Sequence, residues 1–193
     1  LGAVAMLRYL NPGFRVLYIA PRENIQRKWI KQLRNFVATN WLHADQRVRT
    51  VQGTPAVGLA FCDGLMDWTR KAVLDPNRNF FMRLSSFSFA LLDDPSTWGS
   101  KRKELLDLLP LSEKARVKAF LRTRDKEVFK RNYALALNTL LPHYDLVVVD
   151  EAHNLKHGRS SGASRNQLIQ YVLGTNESEE AASWPGYGKR FER

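Results

Sequence analysis

Short apolar runs rich in β-branched and aromatic residues recur along the chain. Between them lie longer stretches in which apolar residues return every three or four positions. Residues 15–20 (RVLYIA), 80–84 and 145–149 are runs of the first kind and predict buried strands, and 48–51 predicts a further short one. After the first run, Pro21 opens a helix whose apolar face is Ile25, Trp29, Leu33 and Phe36, with Arg27, Lys28, Lys31 and Arg34 opposite. Residues 3–10 read as the end of an apolar helix stopped by Asn11-Pro12-Gly13, and 58–74 as a helix with a weak point at Gly64. Asp93-Asp94-Pro95-Ser96 is a turn. Residues 101–141 predict two or three amphipathic helices broken near Pro110, the middle one capped by Ser112. A last helix over 163–174 stops at Gly174, and the acidic, then Gly/Pro-rich 175–193 is expected to be only partly ordered. Strands alternating with helices predict an α/β fold with a mostly parallel sheet and right-handed crossovers.

Composition narrows the class without naming it. A chain of 193 residues with 44% hydrophobic content can bury one substantial core. No apolar run approaches the roughly 18 residues of a membrane span, so no membrane partner is expected. The single cysteine, Cys62, excludes an internal disulfide framework, and its apolar neighbours predict a buried thiol. A cytoplasmic protein follows, nucleoid-associated if bacterial. The start Leu-Gly-Ala-Val has neither an initiator Met nor a basic leader, which predicts a fragment of something longer.

The net charge of +11 points to a polyanionic partner. Its placement is uneven. Residues 1–60 carry nine basic and two acidic side chains, and 101–131 carry eleven and five. For 101–131 alone, a solvated helix face is the better explanation of the charge.

The chemistry gathers at Leu146-Val147-Val148-Val149-Asp150-Glu151-Ala152-His153. A buried strand ending in adjacent carboxylates delivers them to the carboxyl edge of a sheet, where open α/β sheets bind their ligands. This run resembles motif II, D-E-A-H, of the superfamily-two helicases and translocases. Two more segments resemble the Swi/Snf-type branch in the same order. The run ending Ala20-Pro21, with Trp29 in the next helix, is similar to motif Ia, although Arg27 and Lys28 stand where a polar amide is common. Arg83-Leu84-Ser85-Ser86-Phe87 is similar to motif Ib. Asn154 and Lys156, with Ser164 and Arg165 in the next helix, continue the likeness. The matches cover 1–37, 79–92 and 145–174.

The resemblance implies an incomplete RecA-like lobe over 1–174, a helical insertion at about 93–141, and a tail at 175–193 leading towards motif III. It implies that Asp150 binds Mg²⁺, probably through water, that Glu151 polarises the hydrolytic water, and that His153 couples nucleotide state to neighbouring motifs. Pro21, Arg22, Arg27, Lys28, Ser85 and Ser86 would contact DNA phosphates. Without it, the first segment reads equally as an ordinary strand–turn–helix, and the serines as helix caps. His153 and His157, with Glu151, form a metal trio as the rival reading of the acidic run. His43 and His143 are read as structural.

No G-x-x-x-x-G-K-[ST] loop occurs in the 193 residues, and phosphate binding needs that backbone cradle. The expectation is therefore a piece of a DNA-dependent ATPase that translocates on or remodels duplex DNA. ATP and Mg²⁺ would be its cofactors at full length, with neither held tightly by these residues alone. Duplex is expected over single-stranded DNA, and the basic helices of 93–141 are open equally to duplex backbone, to a lid or to a protein partner. The alternative is a non-catalytic nucleic-acid-binding or scaffold domain.

Overall fold

Four strands, β1 (Val16–Ala20), β2 (Leu59–Phe61), β3 (Asn79–Arg83) and β4 (Leu146–Val149), pair in the order β2-β3-β1-β4, and every pairing is parallel. The computed structural model describes residues 7, 10, 11, 13–21, 23–38, 59–76, 79–151 and 164–192. The strand expected at 48–51 lies outside them. Parallel neighbours require crossovers, and the helices supply these. α1 (Glu23–Ala38) follows β1, α2 (Leu65–Leu74) joins β2 to β3, and α3 (Trp98–Leu108), α4 (Leu111–Phe120) and α5 (Lys126–Leu140) lie between β3 and β4. α6 (Ser164–Leu173) and the short α7 (Glu179–Ala182) complete the chain.

The side-chain alternation of β1 divides the core. Leu17 and Ile19 face one layer with Phe80, Met82, Trp68 of α2 and Leu168 and Val172 of α6. Val16, Tyr18 and Ala20 face the other with Phe81, against Ile25 and Trp29 of α1. Trp29 meets Tyr18 at 5.8 Å and Phe81 edge-on at 6.1 Å between ring centroids. Fully buried aromatics such as Phe80 and Phe81 each contribute roughly 1.5–3 kcal/mol by leaving water. Cys62 is buried, as its neighbours predict.

Three expectations change. Residues 58–74 are not one helix: Leu59–Phe61 is a strand, and Gly64 is the extended residue that caps α2. Ser112 lies inside α4, which starts at Leu111 behind Pro110. The four residues of β4, expected to be covered on both faces, are all only half-buried, because β4 is the edge of the sheet among the described residues.

The helical layer is fixed by specific contacts. Trp98 stacks on Phe129 at 4.3 Å, and the Asp125 carboxylate accepts from the Val128 amide to cap α5. Lys130, 4% exposed, donates to Asp93 at 2.7 Å. A buried ammonium needs such a partner. The hydrogen bond from Lys130, with the nearby charges of Lys130 and Lys126, holds the Asp93 carboxyl below its usual 3.8. A lowered folded pKa stabilises above the unfolded value and is lost as pH falls through the folded one. Asp93→Asn should therefore lower the urea midpoint at pH 6, and the gap from wild type should close as pH falls below 3.8. An unchanged gap at pH 3 and pH 6 would show that this pair does not titrate with folding.

The tail, expected to be partly ordered, folds back on the sheet. Gly174 ends α6 with φ +79°, and the Thr175 amide donates to the Gln170 carbonyl at 2.9 Å, the long bond of a Schellman turn. Trp184 is buried beside Phe120. Asn138, fully buried on α5, donates to the carbonyls of Val172 and Gly188, both at 3.0 Å. It accepts from the Gly188 amide and from Arg190 Nε. Phe191 then bridges Tyr144 in parallel, beside the amino end of β4. Among the described residues, no helix is long and apolar enough to cross a membrane.

Candidate functional site

Register brings the predicted segments to one edge. Ile19 pairs with both Met82 and Val149, and Ala20 pairs with Arg83. The Asp150 amide donates to the Ile19 carbonyl at 2.9 Å, so β1 and β4 end level. Ala20-Pro21, Leu84-Ser85 and Asp150-Glu151 thus emerge together at the carboxyl edge, where a parallel sheet presents its ligand-binding loops. The central position of β1, between β3 and β4, makes that convergence possible.

Asp150 is half-buried at the end of β4, and its carboxylate has no hydrogen-bond or ion-pair partner among the described residues. Glu151 is exposed and left-handed, φ 56°. Outside glycine this conformation costs about 1–2 kcal/mol. Among the described residues, the other positive-φ residue that is not glycine, Phe89, follows the 3₁₀ turn Leu84–Ser88 at the carboxyl end of β3. Such strain collects where loops are held for a purpose.

Ser85 and Ser86 do not cap a helix. They sit inside that 3₁₀ turn, behind Arg83, with Ser85 exposed and its carbonyl accepting from Ser88 Oγ. Ser85 is thus open to solvent, and Ser86 is partly so. Pro21 is half-buried at the turn into α1. Arg27 and Lys28 are both exposed, but they differ electrostatically. Arg27 pairs with Glu23 at 2.6 Å, whereas Lys28 has no ion pair among the described residues. Glu23 also approaches Arg83 at 3.6 Å, and Arg83 donates to the Asp63 carbonyl at 2.6 Å. This Glu23–Arg83 link across α1 and β3 was not anticipated, although the i, i+4 spacing of Glu23 and Arg27 signals half of it. Arg22 and His153 lie outside the described residues.

A hard cation on phosphate oxygens needs only one or two carboxylates and several waters. Asp150 fits that demand as an oxygen donor at an accessible strand end. Among the described residues, no group of three or more His, Cys, Asp or Glu side chains is placed to hold a metal ion. The histidines of the rival trio, His153 and His157, lie outside the described residues.

The architecture is α/β, with a four-stranded all-parallel sheet flanked by helices. Compared with known proteins, the chain matches no family model, no curated protein and no solved structure.

Proposed function

We propose that these residues are part of the first RecA-like lobe of a DNA-dependent ATPase of the Swi/Snf-like type, one that moves on or remodels duplex DNA. One observation carries the reading. The adjacent carboxylates Asp150 and Glu151 leave the parallel sheet at the edge where Pro21 and Ser85 also emerge, level with one another. The basic excess of the chain suits a phosphate-rich partner.

In this reading Asp150 holds Mg²⁺ through water, and the ion, when bound, supplies positive charge to the phosphates of ATP. Glu151 orients the attacking water and accepts its proton. Pro21, Lys28, Ser85 and Ser86 line the edge towards the DNA backbone, with Arg27 joining only if it leaves Glu23. Arg22 and His153 keep the roles implied by the resemblance. Residues 93–141 are an insertion open to a protein partner.

The second reading is a non-catalytic nucleic-acid-binding or scaffold domain on the same fold, for which the basic excess alone would suffice. Residues 1–193 alone should bind duplex DNA weakly and salt-sensitively, and should hydrolyse ATP at no more than the buffer rate. Robust turnover by these residues alone would overturn the requirement for a Gly-rich phosphate loop. Failure to bind duplex at low salt would remove the DNA partner.

A further inference from the structure

We infer that the exposed corner formed by α4 and the turn into α5 is a second duplex-backbone contact, separate from the segments at the sheet edge, with Lys118, Arg122 and Arg124 as its phosphate ligands. α4 packs through little of its surface: Val117 is its only buried residue, Leu111 is 86% exposed and Phe120 45%. Core packing therefore leaves the sequence of this helix almost free. Even so, residues 110–124 carry five basic side chains against one acidic, and that one, Glu113, pairs with Arg116. Lys114 and Lys118 stand four apart on α4, where like charges repel, and Arg122 and Arg124 lie in the turn that follows. Lys118, Arg122 and Arg124 are exposed and have no ion pair among the described residues. A polyanion would relieve that repulsion.

The corner is also held rigid. Arg102 donates to the Leu121 carbonyl at 2.8 Å and Asn132 to the Phe120 carbonyl at 2.7 Å. Within the turn, the Asp125 amide donates to Thr123 Oγ1, and the Asp125 carboxylate caps α5. Cations on a fixed frame lose less freedom on binding than cations on a loose loop. The corner faces a useful direction as well. Lys126 and Lys130, in the first turns of α5, reach Asp93, ten residues beyond the end of β3, and the far end of α5 leads into β4. The corner therefore lies towards the carboxyl edge, the side from which Ser85 and Asp150 emerge.

The choice of duplex DNA as the polyanion rests on the proposed function; the charged corner does not. The test is equilibrium binding of residues 1–193 to two 20-bp duplexes of unrelated sequence, titrated in salt. Lys118→Ala/Arg122→Ala/Arg124→Ala would be compared with wild type and with Arg27→Ala/Lys28→Ala. The triple variant should lower the slope of log K against log salt by about 3, close to one per phosphate contact, equally on both duplexes. Its thermal transition should match wild type, since none of the three side chains has a folded-state ion pair. A triple variant with wild-type affinity and slope would overturn the corner while leaving DNA binding intact. A wild-type chain that binds heparin but neither duplex would overturn the corner as a duplex contact and the DNA reading with it.

Discussion

Gly174→Ala is expected to lower stability by about 3 kcal/mol or more, which for a domain of this size is a fall in Tm of about 6–12 °C. Two costs combine. The φ of +79° is strained for any residue with a Cβ, and that Cβ would lie 1.8 Å from the Gly188 carbonyl oxygen and 2.7 Å from Lys189 Cα. The obstacle is backbone, and it cannot retreat freely. Asn138 grips Gly188 from both sides, and the Arg190 amide donates to the Leu173 carbonyl at 3.0 Å. Relief would mean breaking some of these buried hydrogen bonds, each worth about 1 kcal/mol. Asparagine tolerates the left-handed region, so Gly174→Asn separates the two costs. If the clash dominates, it destabilises as much as Ala; a loss below about 1 kcal/mol for both would deny the close approach of 188–190 to the end of α6.

That contact shows where sequence stops informing. The helix stop at Gly174 is legible because only glycine enters the left-handed cap without strain. The segment that packs on it, fourteen residues on, is not, because its grip comes from one asparagine on α5 whose partners are mostly backbone groups. Strands β1, β3 and β4 are legible as dense apolar runs. β2 is missed because Leu59–Phe61 is three residues long and sits in an apolar stretch that suits a helix equally well. The edge position of β4 is equally hidden, since a run of valines states hydrophobicity and not the number of neighbours.

At the candidate site, the carboxylate pair and its strand are readable from the chain. Their alignment with Pro21 and Ser85 depends on β1 standing between β3 and β4, and sequence order does not disclose that. The serines read as potential caps because local hydrogen bonding is their commonest use, yet the turn they enter is 3₁₀ and is entered from Arg83. The Glu23 bridge between Arg27 and Arg83 joins residues sixty apart, and only the fold brings them together.

The second large effect falls on Glu151. Glu151→Gln keeps the size of the side chain and removes its ability to accept a proton. Removing a general base costs about 10²–10⁴-fold in rate. Nucleotide affinity should change little, because the reading gives metal binding to Asp150. Asp150→Asn should show the reverse pattern, with weakened Mg²⁺-dependent nucleotide binding. Glutamine meets the same left-handed backbone as glutamate, so the comparison leaves strain at residue 151 unchanged.

Whether this fold is a motor or a binding domain is decided most directly by steady-state ATP turnover. The natural-length protein that contains these residues would be assayed with and without duplex DNA, alongside its Glu151→Gln variant. The proposed function predicts turnover that rises with duplex and falls at least about 10²-fold in the variant. Turnover absent under both conditions, or undiminished in Glu151→Gln, would contradict it.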